Sequence, residues 1–245
     1  MTVKNRTTSH GAAIASHLWG RAVDLVFPPR CAGCGGFGGF LCDACLDRTA
    51  EALPPRCDVC WMPAERPGTA AACSRCRAGQ PAFRAARSAF VYEGAAREAV
   101  HALKYDGVSS LARPMAHLMF ERLVDWKPPV DALAPVPLAG RRRRTRGYNQ
   151  SELLARELAR LTGLRLERRA LVRQRAGAPQ VGQPDEEARR RNVSGAFAPG
   201  PVSVKGSVLL IDDVLTTGAT LDACARVLLG GGAEAVFALT FARED

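Results

Sequence analysis

Residues 208 to 220 read Val-Leu-Leu-Ile-Asp-Asp-Val-Leu-Thr-Thr-Gly-Ala-Thr. Four apolar residues run straight into two carboxylates and then into a Thr/Gly loop. The apolar run suits a parallel strand covered on both faces. After the loop, Leu221, Ala225, Leu228 and Leu229 recur at helical spacing. The glycines Gly230 to Gly232 stop that helix, and Ala235 to Phe241 reads as the next strand. A small-residue loop feeding a helix N-terminus exposes unpaired backbone N–H groups at the positive end of the helix dipole, which suits a phosphate. The two carboxylates cannot bind that phosphate. They suit sugar hydroxyls or a hard cation such as Mg²⁺ beside it. A generic P-loop is excluded, because no lysine follows the glycine in the required spacing.

The stretch resembles the 5-phosphoribosyl-1-pyrophosphate (PRPP) motif of type I phosphoribosyltransferases. By that resemblance Asp212 and Asp213 hold the ribose hydroxyls, while Thr216, Thr217, Gly218, Ala219 and Thr220 wrap the 5′-phosphate.

Upstream, eight of the nine cysteines fall in four Cys-x-x-Cys pairs: Cys31/Cys34, Cys42/Cys45, Cys57/Cys60 and Cys73/Cys76. No signal peptide is visible, and no apolar run approaches the ~18 residues a membrane span needs. A cytoplasmic protein without membrane insertion is therefore expected. Thiols stay reduced there, so the pairs read as metal sites before disulfides. Sequential pairing gives C-x2-C-x7-C-x2-C and C-x2-C-x12-C-x2-C, each able to surround one tetrahedral zinc. Two structural zinc ribbons follow, with every ligand position filled and none open for substrate. A redox use of the pairs fits less well, since a thioredoxin-like site needs one pair near a strand–helix unit. Cys224 reads as packing. The chain carries a formal charge of +10, which falls to about +6 once eight thiolates and two Zn²⁺ are counted. A basic surface attracts nucleic acid and polyanionic metabolites alike.

At 245 residues the chain allows one large domain or two modest ones, and the cysteines favour two. We expect a tail and short helix over 1–27, carried by Ile14, Leu18, Ala22 and Leu25, then ribbons over 28–82 and an α/β domain over 83–245. In the last, Ser88–Tyr92 and Ala132–Val136 read as strands, and Ala95–Tyr105, Leu111–Val124 and Asn149–Leu161 as helices. Asn149 is the expected N-cap, with Glu152 in capping-box position. Strands alternating with helices imply a mostly parallel sheet, whose ligands bind at the carboxyl ends of its strands. The aperiodic segment from Arg173 to Phe197 reads as a substrate-closing lid.

A second constellation joins Pro135-Val-Pro-Leu138, Arg141 to Arg144, and Arg146-Gly-Tyr-Asn-Gln150. Five arginines within six residues repel one another and call for an anionic partner. Pyrophosphate and a nucleic-acid backbone both qualify.

The whole layout, from about Phe27 to the C-terminus, resembles the ComF family of competence-associated phosphoribosyltransferase-like proteins. The resemblance implies a type I phosphoribosyltransferase fold, Rossmann-like with a mostly parallel sheet, preceded by a small double zinc-ribbon domain. It places Val136 and Pro137 in the pyrophosphate loop with Arg142 and Arg146 after it. Tyr148 stands where the family often has Phe, and Leu103-Lys104-Tyr105 matches its Leu-Lys-Tyr element. Gln180, Arg189 and Asn192 fall in the mobile segment, where Gln183 replaces the expected leucine.

The implied ligand is PRPP with Mg²⁺, and the implied role is DNA uptake during natural transformation. Phosphoribosyl transfer would send pyrophosphate from C1 of the ribose as an acceptor attacks. Thr216 stands where 6-oxopurine phosphoribosyltransferases carry an aspartate base, which disfavours hypoxanthine and guanine as acceptors. The four histidines, His10, His17, His101 and His117, lie in no recognisable motif. A different reading makes the chain a zinc-ribbon module that binds single-stranded nucleic acid, with PRPP as regulator and no catalysis. In a third, the ribbons are only a protein-docking platform; the partners expected of the protein are PRPP, single-stranded DNA and the DNA-uptake machinery.

Overall fold

Burial of every residue from Val208 to Ile211 places that run at the centre of the sheet. The computed structural model describes residues 28–64, 72–174 and 195–245. Two short helices lie among the cysteines, α1 (Asp43–Leu46) and α2 (Ser74–Ala78). There follow β1 (Ala85–Val91), α3 (Gly94–Tyr105), α4 (Ala112–Trp126), β2 (Ala132–Pro135), α5 (Gly140–Arg146) and α6 (Gln150–Thr162). The chain continues through β3 (Arg165–Leu166), β4 (Leu171–Arg173), β5 (Phe197–Pro199), β6 (Ser207–Leu215), α7 (Ala219–Gly230) and β7 (Ala235–Arg243).

Five strands form one sheet in the order β1-β7-β6-β2-β3, with every pairing parallel. β4 and β5 make a separate antiparallel ladder. The strand period of two sends alternate side chains to opposite faces. Leu209, Ile211, Leu239 and Phe241 pack with α3, α4 and α6. Val208, Leu210, Val236 and Ala238 pack with Leu221, Cys224, Ala225 and Leu228 of α7. Cys224 is thus the packing residue its position suggests. From β2 the chain moves outward to β3, and from β6 it moves the other way to β7. The switch point therefore lies between β2 and β6, which is where a doubly covered parallel sheet opens its ligand crevice.

Several elements extend past their expected bounds. The first strand begins three residues earlier than Ser88, and β7 runs two residues past Phe241. The arginine run, read from the sequence only as a charge cluster, forms α5 and ends at Gly147 with φ 83°. Asn149 caps α6 as expected, its side chain accepting from Ser151 N. The capping box does not form among the described contacts. Glu152 instead pairs with Arg168 and lies 3.6 Å from Arg156 and 3.8 Å from Arg143, because a carboxylate among three guanidinium groups gains more from charge than from one backbone N–H. The expected N-terminal helix and most of the expected lid lie outside the described residues.

The ribbons pack onto the β1 edge of the sheet. Ala52 N donates to Ala89 O at 2.9 Å and Val91 N to Ala50 O at 2.8 Å, so the linker between ribbons covers an otherwise open strand edge. Arg56 makes a bidentate pair with Asp245 at 2.7 Å.

Candidate functional site

β6 carries its two carboxylates to the switch point. Pro135 lies opposite Ile211 in the β2–β6 register, and Val136 N donates to Ile211 O at 3.0 Å. Asp212, Val136 and Pro137 thereby line one cleft of about 1040 Å³, together with Arg141, Arg142, Arg146, Thr216 and Thr220. Asn149 ties the start of α6 to β2 by donating from Nδ2 to Val136 O at 2.9 Å. That anchor brings Ser151 Oγ within 2.7 Å of Asp212 Oδ1.

Asp213 is 3% exposed. Its Oδ1 accepts from Lys104 Nζ at 2.9 Å, and its Oδ2 is buried with no partner among the described residues. Burial, then the adjacent Asp213 charge, push the Asp212 carboxyl from 3.8 up to about 7, against the Ser151 and Lys104 contacts that favour its ionised form. Burial opposes the Lys104 charge, but Asp213 outweighs it and holds the ammonium above its ordinary range. Two neighbouring carboxylates with one lysine between them leave an excess of negative charge. Hydroxyl donors or a divalent cation would relieve it, so the donor set fits Mg²⁺.

The opposite wall is cationic. Arg141 and Arg142 are exposed. Arg146 Nη1 donates to Gln150 Oε1 at 2.6 Å, and its guanidinium sits 5.3 Å from the Tyr105 ring centroid. Arg173 adds a further cation, lowered by burial and then by its neighbour Arg142. Tyr148 donates to Leu103 O at 2.5 Å and so ties the arginine segment to Leu103-Lys104-Tyr105.

The expected phosphate loop divides between two cavities. Thr216 and Thr220 face the large cleft, whereas Thr217, Gly218 and Ala219 line a cavity of about 370 Å³ on the side of the second ribbon. Gly218 precedes α7 with φ 81°, a conformation glycine adopts without penalty. Gln180, Arg189 and Asn192 lie outside the described residues. The sequence did not single out Ser151 or Tyr92, which also line the cleft, nor Arg173 as a cleft cation. Ser151 was findable, since it is the N2 residue of a capped helix aimed at the switch point.

The cysteines divide as expected. Cys31, Cys34, Cys42 and Cys45 form one set, and Cys57, Cys60, Cys73 and Cys76 the other, with ligand atoms within 4.8 Å of one another in each. Backbone N–H groups point at the leading sulfurs, from Cys42 to Cys31 Sγ at 3.4 Å and from Cys73 to Cys57 Sγ at 3.3 Å. Burial disfavours both thiolates, yet backbone N–H groups, first those of Cys34 and Cys60 and then those of Cys42 and Cys73, bring Cys31 down to about 6 and Cys57 to about 7. Both sets fit structural zinc.

A double zinc ribbon set against a parallel α/β sheet defines the class of protein. Residues 22–79 match the double zinc ribbon domain family. The chain is 32% identical over 202 residues to DNA utilization protein YhgH of Salmonella typhi, covering 80% of this chain and 87% of that protein. Against DNA utilization protein YhgH of Escherichia coli K12 the identity is 30% over 204 residues, with the same coverage of 80% and 87%. Competence protein F of Haemophilus influenzae is 29% identical over 148 residues, 56% of this chain and 63% of that one.

The chain belongs to the ComF family. Among solved structures, one described as "Structure of the allosteric regulatory enzyme of purine biosynthesis" aligns with TM-score 0.35 and 19% identity, over 52% of this chain and 25% of that one. The protein TT1426 from Thermus thermophilus aligns with TM-score 0.33 and 20% identity, over 52% and 72%. Among the described residues no helix is long and apolar enough to cross a membrane.

Proposed function

We propose that the cleft between β2 and β6 binds PRPP with Mg²⁺, in a protein that serves DNA utilization or competence as its relatives' names state. The carrying observation is that Asp212 and Asp213, the latter with an Oδ2 that has no partner among the described residues, line the same cleft as Arg141, Arg142 and Arg146. Asp212 and Asp213 would hold the ribose hydroxyls or the cation. Thr216 and Thr220, which line that cleft, would hold the 5′-phosphate, with Thr217, Gly218 and Ala219 contributing through the loop backbone. Arg142 and Arg146, past Val136 and Pro137, would neutralise pyrophosphate as paired guanidinium groups do.

Mg²⁺ would supply charge compensation on the pyrophosphate. If transfer occurs, the C1–O bond to pyrophosphate breaks and a C1–acceptor bond forms, while the arginines stabilise the departing charge. Gln180, Arg189 and Asn192 are assigned to a segment that excludes water from that step. The domains are taken as 28–82 for the ribbons and 83–245 for the ligand-binding unit, after 1–27. Two four-cysteine sets suited to metal favour a reducing compartment such as the cytoplasm.

The exposed Arg141, Arg143 and Arg144 on α5 favour a second reading in which single-stranded DNA follows that helix and PRPP regulates. Calorimetric titration of PRPP with Mg²⁺ into the zinc-loaded protein, with and without single-stranded DNA, tests both. Binding that disappears in the Asp212→Asn/Asp213→Asn double variant supports the PRPP site. Parental affinity in that variant, if folded, removes it. DNA binding with a steep salt dependence in the absence of any PRPP binding would leave the second reading alone standing.

A further inference from the structure

The second ribbon is tied to the phosphate loop from both sides of its zinc site. From the Cys73/Cys76 knuckle, Arg75 on α2 donates from Nη2 to Thr217 O at 2.9 Å. From the Cys57/Cys60 knuckle, Cys60 O accepts from Arg243 Nη1 at 2.6 Å. Arg243 is 1% exposed and stands opposite Leu215, the residue at which β6 ends and the loop begins. The next residue closes the same junction, with Glu244 N donating to Leu215 O at 2.9 Å. Past the loop, Asp222 Oδ1 in the first turn of α7 accepts from Ala82 N at 2.6 Å, at the end of the ribbon segment.

The loop is thus held at its middle by Arg75 of the second ribbon, while at its entrance the β7 residue Arg243 links the β6 end to the Cys57/Cys60 knuckle and at its exit Ala82 binds Asp222. Between them lies the 370 Å³ cavity lined by Cys60, Arg75, Cys76, Phe83, Thr217 and Gly218. The first ribbon has no such role in the described contacts: Cys31 and Cys45 pack on Ala95, at the start of α3.

We infer that Arg75 is a positioning residue for the phosphate loop, through which the second zinc site, and not the first, sets the geometry and affinity of 5′-phosphate binding. The inference rests on the PRPP reading for its ligand, but the tether itself does not. A charged donor on the Thr217 carbonyl fixes the peptide between Thr217 and Gly218, and the N–H groups of a phosphate cradle bind well only when their directions are set in advance. Loss of the second zinc releases both knuckles together.

The test compares Arg75→Ala, Arg75→Lys and Arg77→Ala in the full, zinc-loaded chain. Arg77 sits on the same helix and donates to Ala72 O within the ribbon, so it controls for lost charge. Ribose 5-phosphate and inorganic pyrophosphate are titrated separately, and amide exchange of residues 216–220 is followed in the free protein. Arg75→Ala should weaken ribose 5-phosphate about tenfold, as loss of one charged hydrogen bond implies. Pyrophosphate binding should stay within about twofold, two zincs should be retained, and exchange in 216–220 should quicken. Arg75→Lys should restore most of the affinity, and Arg77→Ala should behave as the parent.

Cys73→Ser should lose one zinc and otherwise reproduce the Arg75→Ala binding and exchange pattern, while Cys34→Ser, which also loses one zinc, should leave ribose 5-phosphate affinity and loop exchange at parental values. Parental ribose 5-phosphate affinity and parental exchange in a zinc-replete Arg75→Ala protein would overturn the inference. If the parent itself binds neither PRPP nor ribose 5-phosphate, the PRPP reading fails, and the tether is judged on exchange alone: quickened exchange sustains it and unchanged exchange ends it.

Discussion

Replacing Asp212 with Asn should weaken the ligand site while stabilising the free protein. The Asp212 carboxyl stands at about 7 in the folded chain against 3.8 for an ordinary one. The folded state therefore keeps a proton that the unfolded state releases. The associated stability is complete below about pH 4 and is lost as pH rises to about 7. The full difference corresponds to about 4 kcal/mol. Because this half-buried carboxylate borders an open cleft, screening reduces the expected effect to about 1 to 2 kcal/mol.

Asn keeps an oxygen for Ser151 Oγ and for Asp213 N, which now reach Asp212 Oδ1 at 2.7 and 2.9 Å. The variant should melt higher than the parent at pH 8, by roughly 2 to 4 °C for each kcal/mol, and the gap should narrow at pH 5. PRPP affinity should fall by about 1 to 3 kcal/mol as charged hydrogen bonds are lost. Thermal melts of zinc-saturated protein at the two pH values measure the first effect and calorimetric titration the second. A variant less stable than the parent at pH 8, or a gap indifferent to pH, would refute the charge reasoning.

The same titration predicts that PRPP with Mg²⁺ binds more tightly as pH rises to about 7 and levels off above it. Calorimetry near neutral pH in buffers of different ionisation enthalpy should then show proton release. Lys104→Ala should destabilise by about 3 kcal/mol, since it strands a buried carboxylate, and adding Asp213→Asn should recover part of that loss in a denaturation double-mutant cycle. Gly218→Ala should cost about 1 to 2 kcal/mol through its positive φ. Crowding is not the cause, because the nearest heavy atom to an added Cβ is Leu215 Cδ1 at 3.7 Å, and melting checks the value. Arg142→Ala and Arg146→Ala should cut affinity for PRPP sharply and for ribose 5-phosphate little. A collapsed DNA salt slope with unchanged discrimination would reverse that assignment. Elemental analysis should find about two zincs in the parent and about one in Cys31→Ser.

The features legible in the sequence are the ones that short stretches contain whole. The stretch from Val208 to Thr220 carries strand, carboxylates, loop and helix start in unbroken order, so periodicity and one glycine suffice to place them. Likewise, each zinc set spans few enough residues that closing it locally costs the least chain entropy, and the observed grouping follows that order. The arginine helix was harder to see, because four adjacent charges mask a helical period. Glu152 was misread for a related reason: its sequence position suits a capping box, but Arg168 approaches only after α6 and β3 pack.

Tertiary structure alone decided the rest. Ser151 and Asp212 are 61 residues apart, Arg75 and Thr217 are 142 apart, and Arg243 and Cys60 are 183 apart. No local pattern announces such pairs. They form because the parallel sheet brings β2, β6 and β7 side by side and the ribbons fold back over the β1 edge. Packing leaves Asp213 Oδ2 buried with no partner among the described residues, and it sets the second ribbon, but not the first, against the loop.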